Sequence, residues 1–278
     1  MKKVFLLPNR QKDPTLRTSL LVAEALAGFG IEVAVPVEIQ DKIAGSLPSD
    51  APDATTECII VIGGDGTVID AVPMALAHSL PILGINLGHL GYLTELDPDN
   101  LDLLRRLAED DFTIENKMLL EIVSDAYPSH ERLGLNEVCC MRPDRKLSVI
   151  RVRIDAGEWM QYRSDGVVVA TPVGSTGYAL SAGGPIISHD VPCLSLLPIC
   201  PHSFFNRALL LSRDVTIELQ NASDEAISLS MDGRELCLLP PQAIVCVRAS
   251  QSELKMISFS GSRMLSTLIH KMKKIEMI

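Results

Sequence analysis

The most constraining feature of this chain is an unbroken apolar run, Cys58-Ile59-Ile60-Val61-Ile62, that ends directly on Gly63-Gly64-Asp65-Gly66-Thr67. A β-branched run without polar alternation reads as a strand buried on both faces, which belongs inside a parallel sheet covered by helices. The flanking sequence agrees. Residues 4–7 read as a first strand, and apolar Leu16, Leu20, Ala23, Leu26 and Ala27 at helical spacing predict a helix over 15–29 that Gly28 and Gly30 can end. Further strands are expected at 31–36 and 81–86, and helices at 67–78 and 100–109, the first of these carrying Pro73. A polar, proline-rich loop is expected over 45–52. Repeats of strand, helix and strand predict an α/β domain with a parallel, doubly wound sheet.

From Phe112 to Phe259 the pattern changes to short alternating strands, as in residues 119–125, 147–157, 215–221, 226–233, 243–250 and 254–259. Turn signals D-A-G-E and M-D-G-R-E separate some of them. This reads as an all-β second domain over 111–261, following a first domain over 1–110, and a Gly/Ser/Thr-rich segment from Thr171 to Pro185 interrupts it once. Helical periodicity returns over 262–275, with lysines on the opposite side.

Composition narrows the function. Thirty-five acidic residues against 25 basic ones leave a formal charge of −10, and aromatics are only 4%, which argues against a general nucleic-acid binder. A polyanionic ligand must find local help from backbone N–H groups, a few placed cations or a metal ion. No membrane span is expected, because the longest uncharged stretch, Gly166 to Ser188, is broken by Pro172, Pro185 and many small polar residues. The amino-terminal apolar run stops at Pro8 after four residues, too short for a signal peptide. Seven cysteines, an odd number without any C-x-x-C pair, fit a reducing compartment, so a cytoplasmic protein is expected.

Three segments could carry chemistry. In G-G-D-G-T, Gly63, Gly64 and Gly66 let the main chain approach phosphate oxygens, and the helix beginning near Thr67 supplies N–H groups. It is neither G-x-G-x-x-G nor a Walker loop. Asp65 puts a carboxylate where phosphate is expected. It either faces phosphate across Mg²⁺, takes a proton from a hydroxyl, or simply caps the helix. Asn136-Glu137 would place one polar group on each face of a strand, suited to ribose or base hydrogen bonding; a surface turn is the plainer reading. The run R-S-D-G-V-V-V-A-T-P-V-G-S-T-G-Y-A-L-S-A-G-G-P from Arg163 passes from strand into a loop whose many N–H and O–H donors could hold a nucleotide. Residues 86–91 are expected to line the same crevice as G-G-D-G-T, and Asp232-Gly233-Arg234 reads as a hairpin turn. His89, His189 and His202 have no metal-ligand spacing.

Together with P-I-C-P-H-S at 198–203, these blocks resemble the bacterial NAD kinase family, in order along the chain. G-G-D-G-T alone is shared with lipid kinases; the later blocks are more specific. The resemblance implies a β-sandwich-like second domain and a final helix (262–278) that packs back on the first domain. It implies transfer of the γ-phosphoryl group of ATP, or of polyphosphate, to the 2′-hydroxyl of the adenosine ribose of NAD. By the same implication Asp65 is the general base or a metal-linked carboxylate, and Gly63, Gly64, Gly66 and Thr67 form the phosphate loop. Asn136 and Glu137 would contact the nucleotide. Asp65 and Gly66 would also contact NAD, and Asp165, Thr176, Gly177, Tyr178, Ala179, Leu180 and Ser181 would bind it, with Val173 at its adenine end. Lys146, Arg163 and Arg234 fall where relatives carry basic or polar groups near the site, whereas Pro73 stands where many carry a basic residue. A divalent metal, Mg²⁺ or another, would arrive with ATP and would not be held tightly by the protein. Relatives are usually homo-oligomers, so a dimer or tetramer is expected. A lipid kinase and a non-enzymatic NAD-binding regulator are the other readings. An acidic surface without an aromatic docking helix counts against the first, and the presence of Asp65 and Glu137 against the second.

Overall fold

The computed structural model describes residues 1–88, 91–124, 127, 132–142, 147–202, 206–259, 261, 264 and 267–269. The chain divides into two compact units, Met1–Asn116 with Leu254–Ile278, and Lys117–Glu253.

In the first unit the order is β1 (Lys3–Pro8), α1 (Arg17–Gly28), β2 (Glu32–Val35), β3 (Leu47–Pro48), β4 (Cys58–Gly63), α2 (Asp65–His78), β5 (Ile82–Asn86) and α3 (Arg105–Ala108). The strands lie in the order β3-β2-β1-β4-β5, all neighbours parallel, and Met256 of the chain's last strand pairs beyond β5 at Ile82. Val4, Leu6, Ile60 and Ile62 pack with Val22, Ala23 and Leu26 of α1, while Phe5, Ile59 and Val61, which alternate with them, are also fully buried. Burial on both faces is why these strands read as continuous apolar runs.

The strand order matters for the site. From β1 the chain moves outward to β2 and β3, then returns to lay β4 on the other side of β1. The loops leaving the carboxyl ends of β1 and β4 therefore flank a topological switch point, where open α/β sheets bind ligands.

Local differences from the sequence reading have physical causes. The loop expected over 45–52 contains β3, which extends the sheet at its edge, the position where Pro48 costs no interior hydrogen bond. The helix expected over 100–109 is a 3₁₀ stretch, Pro98–Leu104, broken at Asn100 and followed by the single turn α3. Pro73 lies deep inside α2, on an exposed face where water can serve the carbonyl left without a donor.

The second unit is a β-structure. Its strands are β6 (Thr113–Val123, entering from the first unit), β7 (Leu133–Gly134), β8 (Glu137–Met141), β9 (Ser148–Ile154), β10 (Met160–Ser164) and β11 (Gly166–Ala170). After the single turn α4 (Tyr178–Ser181) come β12 (Cys193–Ile199), β13 (Leu209–Ser212), β14 (Thr216–Asn221), β15 (Ile227–Met231), β16 (Arg234–Leu239) and β17 (Ile244–Ser258), whose far end returns to the first unit. One antiparallel layer runs β10-β9-β14-β17 and the other β13-β12-β11-β8-β15-β16. Ile150, Val152, Ile217, Leu219, Val245 and Val247 of the first layer meet Val138, Cys140, Val167, Val169, Leu194, Leu196 and Leu229 of the second in one core. The opposite face of β8, β11 and β12 is apolar too: Cys139, Val168, Ala170, Leu197 and Ile199 pack against Ala179 of α4.

The α/β unit with a parallel sheet and the β-structured second unit are the two fold classes expected from the sequence. The final helix expected at 262–278 falls mostly outside the described residues. Among them no helix is long and apolar enough to cross a membrane. All seven cysteines are free thiols, and burial pushes Cys139 up to about 12 and Cys58 and Cys140 higher still.

Candidate active site

In the first unit, β4 delivers the glycine turn to the switch point. A Cβ on Gly63 would come within 2.3 Å of the Thr67 hydroxyl, so glycine is what allows that side chain to fold back over the turn. There Thr67 Oγ1 accepts hydrogen bonds from the Gly64 N–H (3.4 Å) and the Asn9 side-chain amide (2.8 Å). The first N–H groups of α2, those of Asp65 and Gly66, have no acceptor within the helix and belong to its positive end.

Asp65 does not cap α2. Its carboxylate accepts the backbone N–H of Tyr92 at Oδ2 (2.9 Å) and of Leu93 at Oδ1 (3.0 Å). Gly91 makes that approach possible, since a Cβ there would lie 2.4 Å from Asp65 Oδ1. The capping alternative is thus replaced by a carboxylate anchored from the segment after β5, where each oxygen keeps a lone pair for another partner. Burial and the Asp65 charge both push the Tyr92 phenol up. Leu87 N–H donates to Gly63 O (2.6 Å), and the buried Oδ1 of Asn86 has no donor. Residues 86–88 and 91–93 therefore adjoin the glycine turn, as expected for 86–91, of which His89 and Leu90 lie outside the described residues.

The loop after β1 reaches the same turn. Asn9 N–H donates to Ile62 O (2.8 Å), and Asn9 Oδ1 accepts from Gln11 N–H (3.0 Å) and Lys12 N–H (3.2 Å). The buried Asp13 carboxylate takes the Ser19 N–H (2.9 Å) and hydroxyl (2.6 Å) at the start of α1. Between these two anchors, Lys12 Nζ lies 2.5 Å from where a Cβ on Gly64 would stand.

In the second unit, Asn136 and Glu137 are not a surface turn, nor are they one residue on each face of a strand. Asn136 is half-buried before β8, and Glu137 opens the strand with 6% exposure. Asp232 holds them. At the β15–β16 turn, with φ +50° at Asp232 and +77° at Gly233, its carboxylate accepts the N–H groups of Leu135 (2.7 Å), Asn136 (2.7 Å) and Glu137 (3.2 Å). Burial pushes the Glu137 carboxyl up to about 7, helped by repulsion from Asp232, while the Tyr178 N–H favours its charged form. Its Oε2 is buried without a partner. Burial also raises Asp232, against its three N–H donors and Arg234.

The Gly/Ser/Thr run is not an open loop of free donors. It forms a 3₁₀ turn, Gly174–Thr176, followed by α4. Thr171 Oγ1 donates to Leu135 O (2.6 Å), Ser175 Oγ to Pro172 O (2.6 Å), and Thr176 Oγ1 to Val173 O (3.1 Å), so much of the hydroxyl capacity serves the fold. Gly174 lies so close to Asn136 that a Cβ would sit 2.0 Å from its carbonyl oxygen, and one on Gly177 would lie 3.3 Å from Glu137 Oε2. Asn136, Glu137, Gly174, Gly177 and Tyr178 thus come together.

Asp165 lies elsewhere on the same sheet. The register sets Gly166 opposite Met141 and Ala170 opposite Glu137, so half-buried Asp165 and exposed Arg163 stand at the far end of β8 and β11. Tyr178 spans the distance, its hydroxyl donating to Met141 Sδ (3.6 Å). Val173 and Ala179 are buried, whereas Tyr178, Leu180 and Ser181 are exposed. Arg234 is exposed at the start of β16. Lys146 lies outside the described residues. Among the described residues no three His, Cys, Asp or Glu side chains converge as a metal site.

A glycine turn beside unpaired helix N–H groups and an anchored carboxylate suits a phosphorylated nucleotide and a hydroxyl to be phosphorylated. Residues 49–112 match the ATP-NAD kinase N-terminal domain and residues 135–259 the ATP-NAD kinase C-terminal domain. The chain is 34% identical to the NAD kinase of Bifidobacterium longum subsp. infantis over 92% of its own length and 78% of that protein. Its fold is similar to yeast NADH kinase complexed with NADH (TM-score 0.83, 23% identity, 96% of this chain and 86% of that one). It is also similar to an NAD kinase from Archaeoglobus fulgidus in complex with ATP (TM-score 0.76, 25% identity, 98% of each chain). The chain belongs to the NAD kinase family.

Sequence reading missed Asn9, Lys12 and the anchoring role of Asp232. N-R-Q-K-D directly after a first strand was the available signal for the first two, since that position faces the switch point in a doubly wound sheet. Asp232 looked like hairpin chemistry alone, and its contact to residues 95–97 positions earlier is invisible locally.

Proposed function

We propose that this chain is an NAD kinase, transferring the γ-phosphoryl group of ATP to the 2′-hydroxyl of the adenosine ribose of NAD to give NADP and ADP. The observation that carries the reading is the match to both NAD kinase domain families together with an anchored carboxylate in the G-G-D-G-T turn. Asp65 acts as general base. The ribose O2′ attacks the γ-phosphorus, the bond to the β,γ-bridging oxygen breaks, ADP leaves, and the hydroxyl proton passes to the Asp65 carboxylate. Gly63, Gly64, Gly66 and Thr67 shape the turn so that helix N–H groups face the phosphates. Asn136, Glu137, Asp165, Val173 and residues 176–181 hold the dinucleotide, with Lys146, Arg163 and Arg234 supplying charge around it. Their spread along β8 and β11 supports an extended ligand.

Mg²⁺ enters as part of the substrate, bound to ATP. A single anchored carboxylate with spare lone pairs fits a cation held mainly by phosphate, whose chemistry is to neutralise the triphosphate. Polyphosphate is a second donor to be tried. The enzyme works in the cytoplasm, a reading supported by its free thiols, and a homodimer or homotetramer is what the family resemblance implies for it.

The test is purified protein with NAD, ATP and Mg²⁺, followed by an NADP-specific dehydrogenase. NADP should accumulate with time and enzyme. No NADP over the no-enzyme control overturns the reading.

A further inference from the structure

Lys12 sits in an electrostatically unfavourable place. Its ammonium occupies the space a Gly64 side chain would fill, beside the residue that precedes α2. The amino-terminal end of a helix is positive, so a cation there is repelled unless an anion lies between them. The first unit's ion pairs among the described residues use Lys3, Arg105, Arg106 and the amino terminus, and leave Lys12 out. Yet its backbone is fixed: Asn9 ties the loop to β4 through Ile62 O and to α2 through Thr67, and Asp13 ties it to α1. Gly64 itself has extended geometry, φ −126°, that any residue can adopt. The contact shows that the flexible end of Lys12 reaches the glycine turn, and the two loops involved are those that flank the switch point.

Resting on the kinase reading above, we propose that Lys12 is a substrate-binding residue that contacts the phosphate chain of the donor nucleotide. It does from the β1 loop what a Walker lysine does from within its own glycine loop. In a chain of net charge −10 it provides a local cation that phosphate recognition needs. Lysine suits this task as a mobile point charge with three donors.

The experiment compares full-length wild type, Lys12→Met and Lys12→Arg in KM for Mg·ATP, in NAD affinity by calorimetry and in melting temperature. Lys12→Met should raise KM for ATP by roughly tenfold to a hundredfold, the loss of one charge-assisted contact. Lys12→Arg should recover most of it. Added KCl should raise KM for ATP more steeply in wild type than in Lys12→Met, because screening acts on the contact removed. NAD affinity should stay within about twofold, and melting should not shift, since the side chain is exposed. A KM for ATP unchanged in Lys12→Met, or a loss confined to NAD or shared equally with it, overturns the proposal while leaving the kinase reading intact. A wild type that makes no NADP overturns the kinase reading, and the role of Lys12 falls with it.

Discussion

Asp65 is anchored at both oxygens by N–H groups of residues 92 and 93, so its position does not depend on substrate. A base fixed in advance contributes about 10²- to 10⁴-fold. Asp65→Asn should lower kcat by roughly that factor with NAD affinity nearly unchanged; near-wild-type turnover would remove Asp65 from the reaction. Glu137 yields a prediction of a different kind. With its carboxyl raised from 4.5 to about 7, the folded chain retains a proton that the unfolded chain has already released. Stability from this residue is therefore present at low pH and lost as pH rises across that window, by up to about 3 kcal/mol. Asp232, also raised, adds in the same direction. Denaturant titrations of ligand-free protein should show wild type losing more stability than Glu137→Gln from about pH 5 to about pH 7; parallel curves would contradict this. At this scale the sequence was half legible. Asp65 stood out because a carboxylate in a phosphate turn needs a reason, whereas burial decides the protonation of Glu137, and burial comes from β8 packing that no local spacing encodes.

At the scale of elements, the turns around the site depend on close backbone approach more than on special dihedral angles. Gly174 is the tightest case. Gly174→Ala must displace the Asn136 carbonyl, 2.0 Å from the new Cβ, and so the two residues that follow Leu135. It should weaken NAD binding by roughly tenfold or more, whereas Gly28→Ala, at the end of α1 with open space around it, should leave it unchanged. Calorimetric titration of NAD into both variants checks this, and equal affinities would mean that the 136–174 contact does not shape the NAD site. The strands β1, β4, β5 and β11 were legible in the sequence because burial on both faces writes itself as continuous apolar runs. The segment after Thr171 read as a loop because its glycines and hydroxyls are turn residues. It forms short helical turns because Thr171, Ser175 and Thr176 spend their hydroxyls on neighbouring carbonyls.

On the scale of the whole molecule, the excess of acid leaves phosphate recognition to backbone N–H groups, a few cations and the metal that accompanies ATP. Activity should vanish in EDTA and return with Mg²⁺ or Mn²⁺; full activity with metal removed would contradict that dependence. Fold class was legible at this scale from the change of period near residue 112. The β15–β16 turn that anchors residues 135–137 was not, because that pairing is set by the order of strands in the finished sheet. The central claim concerns one phosphoryl group and one hydroxyl. ATP labelled with ¹⁸O on its γ-phosphoryl oxygens, incubated with NAD, Mg²⁺ and the protein, should give a dinucleotide whose new phosphorus resonance is a 2′-monophosphate carrying the label. Label remaining in ATP or released only as inorganic phosphate, or a phosphate on any other hydroxyl of NAD, would contradict it.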